Sequence, residues 1–171
     1  RLGSPGPRNL SSPLVTRPTG AIGVNLLDTC ALADESPNAL RDTTTDDDNN
    51  SAFGTLDLRR TFTNNSGGDI SRLRFRIIDL TTFPATLGIA DLRPRSSTAL
   101  VQTVDRSPCG AGNSNVNVLG TTLEQPPNQF NGGGFNSTMS TGTVSPGTPL
   151  ANGASIDLRF LFGIQQRGIY K

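Results

Sequence analysis

The chain contains no histidine, so the side chain that most often serves as general base near neutral pH is missing. Ser–His–Asp and Cys–His nucleophile arrangements are thereby excluded. A Ser–Lys dyad would have to use Lys171, the only lysine and the last residue. A glycosidase-like carboxylate pair is the remaining arrangement, since fourteen Asp and Glu are present. Only Glu35 and Glu124 among them are Glu, and both fall in expected loops. The expectation is a protein that is not an enzyme, with no catalytic residues and no cofactor.

Cys30 and Cys109 are the only cysteines, and neither has a Cys or His nearby in sequence. A metal site therefore lacks ligands. Two readings stay open. One is a Cys30–Cys109 disulfide, which suits a loop-rich chain in an oxidising compartment and closes a loop worth about 4 kcal/mol on the chain-entropy model. The other is a pair of buried free thiols.

Asp46, Asp47 and Asp48, with Asp42, offer oxygens of the kind calcium takes in sets of six to eight. Their spacing matches no EF-hand loop, and consecutive Asp side chains point in different directions. A solvated, self-repelling loop is the stronger reading.

Asp57 to Asp79 reads as one complete β-hairpin. Leu56, Leu58 and Phe62 alternate with Asp57, Arg59 and Thr61; the turn residues 64–69 follow; Leu73, Phe75 and Ile77 then alternate with Arg72, Arg74 and Arg76. A four-residue turn would set Asp57 opposite Arg76, Arg59 opposite Arg74 and Thr61 opposite Arg72. Only the first pair is complementary, so Arg59, Arg72, Arg74 and Arg76 are expected to seek carboxylates from another loop or a partner. The plainer reading is a solvated face with ion pairs worth under about 1 kcal/mol each. Arg60 falls on the inner face with Leu58 and Phe62, which calls for snorkelling at the sheet margin or a bulge at Arg59-Arg60.

Trp is absent and Tyr170 is the only Tyr, so a carbohydrate platform is poorly provided for. Phe130 and Phe135, in and beside a Gly-rich loop, are the aromatics not expected to point inward. A net charge of +1 gives no electrostatic footprint for nucleic acid or for a membrane surface. No apolar run reaches the length of a membrane span.

These residues must be carried by an all-β chain. Hydrophobic content is 33 % while Gly 19 and Pro 12 are high, a balance that favours short strands and many turns. Period-two patterns at 21–28, 89–92, 99–104, 116–123 and 156–162, and a weak one at 135–144, join those of the expected hairpin. The expected fold is an antiparallel β-sandwich, Ig-like or jelly-roll, of seven to nine short strands joined by long polar loops. It divides into an extended Pro-rich arm at 1–18 and a single domain at 19–171, with a long polar loop at 29–53 that holds a helical turn near Ala31-Leu32 or Ala39-Leu40-Arg41. No signal peptide is read at the start of the chain, which looks mature or excised. Ile169-Tyr170-Lys171 opens a further strand.

The phrases Ser4-Pro5-Gly6-Pro7-Arg8-Asn9-Leu10-Ser11-Ser12-Pro13, Arg60-Thr61-Phe62-Thr63-Asn64-Asn65-Ser66-Gly67-Gly68 and Arg72-Leu73-Arg74-Phe75-Arg76 resemble a module of large secreted or surface-exposed bacterial proteins. So do Gly132-Gly133-Gly134-Phe135-Asn136-Ser137 and Gly153-Ala154-Ser155-Ile156-Asp157. The resemblance implies a non-catalytic β-sandwich, often near the end of a longer polypeptide, whose last strand would continue past Lys171. It carries over no functional residues and names no ligand.

The function expected is structural and lies at the bacterial cell exterior. Its partners would be copies of the chain or other surface proteins, with assembly into an extracellular filament as the sharper form. Leu10, Leu14 and Val15 would be the apolar plugs of the arm, inserted at an open sheet edge of the next subunit. The alternative is a polysaccharide- or calcium-binding adhesion module using Phe130, Phe135 and Asp46 to Asp48.

Overall fold

The computed structural model describes residues 21–77, 90–106, 109–110, 112–125 and 137–168. Leu10, Leu14, Val15 and the rest of the arm, Phe130, Phe135 and Ile169-Tyr170-Lys171 lie outside these residues. Among the described residues there are ten strands, one short 3-10 turn at Asp47–Asn49 and no α-helix. Among the described residues no helix is long and apolar enough to cross a membrane.

The all-β, antiparallel expectation holds, with three sheets. The largest has five strands. Its centre is β3 (Thr55–Asn64) and β10 (Ser155–Gln166), antiparallel over Thr55 to Thr63. The other edge of β3 is shared end to end by β1 (Ile22–Leu26) and β2 (Ala39–Asp42), and β5 (Asp91–Arg95) flanks β10. The second sheet has the order β4 (Arg74–Arg76), β9 (Thr138–Ser140), β8 (Thr122–Gln125). The third is the hairpin β6 (Leu100–Val104) with β7 (Ser114–Val118).

Alternation puts Leu56, Leu58 and Phe62 of β3 on one face with Ile156, Leu158, Phe160 and Phe162 of β10. That face packs on Phe75 and Met139 of the three-stranded sheet, and on Leu73 just before it, to form the main core. Phe75 sits 4.8 Å from Phe62 and 4.9 Å from Phe160 between ring centroids. The opposite face of the same sheet is covered by the β6–β7 hairpin, with a small cluster of Leu27, Val104 and Val118 at its rim.

The expected hairpin of 57–79 does not form. β3 and β4 belong to different sheets, and their aromatic residues meet across the core rather than along a shared edge. Both edges of β3 are already occupied, so β4 has nowhere to pair beside it. The turn is instead tied to the segment before β10. Asn64 donates through its side-chain amide to the carbonyls of Gly68 and Leu150, and Ile70 and Leu150 exchange backbone bonds. These contacts steer the chain out of one sheet and into the other.

Three further expectations change. The loop at 29–53 contains strand β2, where a helical turn was expected over Ala39-Leu40-Arg41, because its backbone completes the edge of β3 beyond the end of β1. The pattern at 116–123 divides into β7 and β8. At Gly120 a Cβ would lie 1.9 Å from the Ser97 carbonyl oxygen, so only glycine permits the chain to change sheets there. Glu124 consequently lies on β8 and not in a loop. The added strand and the division account for ten strands in place of seven to nine.

Candidate functional site

Arg59 is buried, at 4 % exposure, and is not a contact residue. Its Nε and Nη2 donate to Asp57 Oδ2 at 3.1 and 2.9 Å, and its Nη1 donates to Gln102 Oε1 of the covering hairpin at 2.7 Å. Directly opposite on β10 stands Arg159, whose Nη2 lies 2.8 Å from the same Asp57 oxygen. Asp157 accepts a hydrogen bond from Thr61 at 2.6 Å and pairs with Arg106. The polar face of β3 and β10 is thus a largely buried ionic layer, in which Asp57 and Asp157 pair with guanidinium groups while Asp57 Oδ1 and Arg159 Nε have no hydrogen-bond partner among the described residues. Such a layer specifies how the hairpin seats on the sheet.

Arg60 neither snorkels nor marks a bulge, because the register of β3 runs unbroken through it. Its side chain is fully buried and donates to the carbonyls of Asn38, Arg59 and Ala33. Asn38, also fully buried, accepts from the Asp28 amide at 2.8 Å and donates to the carbonyls of Asp28, Ala31 and Leu32. Together these two side chains replace the missing backbone pairing of segment 28–38, so the start of the long polar loop is an organised structure.

Cys30 and Cys109 form a disulfide with Cα atoms 5.3 Å apart, which resolves the alternative left open by the sequence. It joins the end of β1 to the β6–β7 connection. Asp28 reinforces the junction, accepting from the amides of Cys30 and Asp105 at 2.8 and 2.9 Å.

Arg72 and Arg74 are exposed, and the carboxylate expected from elsewhere is Glu124, two strands away in the same sheet. Arg74 Nε lies 2.8 Å from Glu124 Oε2, while Arg72 reaches Glu124 Oε1 only at 3.4 Å. Ser140 donates to Glu124 at 2.6 Å. The Ser140 hydroxyl first, then the Arg74 and Arg72 charges, hold the Glu124 carboxyl below its ordinary value. Arg76 shares the exposed face of β4, but the stripe does not include Arg59. Beside Arg72 and Glu124 opens a cleft of about 390 Å³, lined also by Ser71, Ser140, Thr141, Val144 and Pro146.

Asp46 is held by Asn49, whose amide donates to both its oxygens, and lies 3.6 Å from Arg95. Asp47 and Asp48 form the 3-10 turn that follows. Among the described residues no group of three or more His, Cys, Asp or Glu is arranged to hold a metal ion.

The sheet edges differ in chemistry. β5 reads Asp-Leu-Arg-Pro-Arg, so Pro94 removes an N–H and the charges deter pairing. β4 is Arg-Phe-Arg. β1 reads Ile-Gly-Val-Asn-Leu, has no charge and no proline, and pairs on one side only among the described residues.

The groups missed by sequence reasoning are Asn38, Glu124, Thr141, the Arg106–Asp157 pair and the Arg159–Asp57 pair. Glu124, Arg106, Asp157 and Arg159 pair with residues some fifty or more positions away or on another strand, which alternation alone does not show. No protein-family model matches this chain, and neither a curated protein nor a solved structure matches it.

Proposed function

We propose that this chain is a non-enzymatic structural protein of the bacterial cell exterior, acting through protein–protein contacts as the self-assembling subunit of an extracellular filament. In this reading the five- and three-stranded sheets are the two leaves of a β-sandwich. The observation that carries it is the uncharged outer edge of β1, set against the proline- and charge-guarded edges of β5 and β4. An uncharged edge with free backbone groups is a template for strand addition. The disulfide supports an oxidising compartment.

The occupant of that edge is the arm of a second copy, residues 1–18, with Leu10, Leu14 and Val15 as its apolar anchors. Eighteen residues in polyproline-like extension reach about 55 Å, more than the roughly 40 Å width of a compact 150-residue domain. Head-to-tail donation of this kind repeats without closing and gives a fibre. Arg72, Arg74 and Arg76 would form a lateral charged contact.

Negative-stain electron microscopy of the full chain tests the reading, beside a variant lacking residues 1–18 and the edge variant Asn25→Lys. Ordered fibres that disappear in both variants are expected. Fibres that persist without the arm would overturn the mechanism, and dispersed particles from the intact chain would overturn the function.

A further inference from the structure

We infer that the cleft between β8, β9 and the 141–146 segment binds a neutral, hydroxyl-rich ligand of the size of one hexose unit of a polysaccharide. The site lies beside the three-stranded sheet, away from the β1 edge that would accept the arm.

The cleft volume of about 390 Å³ falls in the range of small-molecule sites, about 300–1,000 Å³. Glu124, Ser140 and Arg72 converge on it, and Glu124 and Arg72 keep hydrogen-bonding capacity beyond their mutual contact. Thr141 lines the cleft at 3 % exposure, and its hydroxyl oxygen, closed to solvent in the wall, has no hydrogen-bond partner among the described residues. A buried hydroxyl left in that state costs about 1–3 kcal/mol unless a ligand or water completes it. Glu124 is the fixed acceptor, oriented by Ser140 and Arg74 and held ionised. Arg72, 66 % exposed on its side chain and only 3.4 Å from Glu124, is a donor with N–H groups to spare.

The charges select the ligand. An anion entering beside Arg72 meets the Glu124 carboxylate, and a cation entering beside Glu124 meets two guanidinium groups. A sugar diol meets neither penalty, because each hydroxyl both donates and accepts. It can donate to Glu124 and accept from Arg72, while Pro146 offers apolar surface to the C–H face of the ring. Gly142 leaves the wall open, with nothing within 4 Å of a Cβ built there.

The test is titration of the full chain with cellohexaose, maltohexaose and mannohexaose, read by calorimetry and amide chemical shifts, with inorganic phosphate as the charged probe. Saturable binding of at least one neutral oligosaccharide is expected, with the largest shifts at Ser140 to Gly142. Glu124→Gln and Arg72→Ala should each weaken it about tenfold, and Asn25→Lys should leave it unchanged. Arg72 is so exposed that its removal does not threaten the fold. The inference is overturned if none of the three saturates by about 10 mM, a very weak affinity. Binding indifferent to both cleft variants, or phosphate in place of sugar, also overturns it.

Discussion

Arg59 and Arg159 stand directly opposite each other on β3 and β10, and both donate to the same oxygen of Asp57. A cross-strand pair of like charges is ordinarily destabilising. Here one carboxylate on the Arg59 strand lies within reach of both guanidinium groups, and Gln102 and the Thr98 carbonyl take the outward N–H groups. Losing that single acid strands the buried Arg59 and the half-buried Arg159 together.

Asp57→Asn should therefore destabilise the fold by about 3–5 kcal/mol, the cost of breaking a buried ionic cluster by removing one partner. Replacing Asp57, Arg59 and Arg159 together by Leu, Met and Leu should cost much less, because no uncompensated charge remains. Urea denaturation of the two variants measures the difference.

Asn38→Ala removes one acceptor and three donor contacts that hold segment 28–38. A loss of about 3 kcal/mol is expected from the backbone groups left unsatisfied. Hydrogen exchange should show the Asp28 amide losing protection first, since its only acceptor in this contact is the deleted side chain.

Opening the disulfide by Cys30→Ser with Cys109→Ser should cost about 4 kcal/mol for a separation of 79 residues. Hydrogen exchange should show β6–β7 opening before β3 and β10, because the bridge joins that hairpin to the end of β1 while β3 and β10 are held by their own ladder.

The Glu124 carboxyl is held below its ordinary value of 4.5. A depressed folded pKa contributes stability that is fully present above the unfolded value and disappears as pH falls through the folded value. Stability should thus decline on acidification below about pH 4.5. Ser140→Ala removes the largest cause, so the Glu124 pKa measured by NMR should rise toward its ordinary value.

Part of the candidate surface was legible. Arg72, Arg74 and Arg76 share an exposed face, as period two requires. Their acid could not be read, because Glu124 lies some fifty residues away and reaches Arg74 only when β4 and β8 flank β9. Thr141 was hidden for the same reason: a lone hydroxyl in a weakly alternating stretch has no sequence signature for being buried beside a cleft.

Residue order alone was enough for the all-β class, the antiparallel strands, the inward set of β10, the pair of cysteines able to bridge and the exclusion of histidine chemistry. Alternation does this because it records which side chains share a face. Which sheet each strand joins, and what covers each face, followed from contacts made in the folded chain. Arg59 and Arg74 stand in the same alternating pattern, yet one is sealed under a hairpin and the other is open to water. Period two is identical for two strands paired in one sheet and for two strands facing each other across a core. The choice belongs to long-range contacts: the occupied edges of β3, the Asn64 turn docked on Leu150, and the close passage of Gly120 past Ser97.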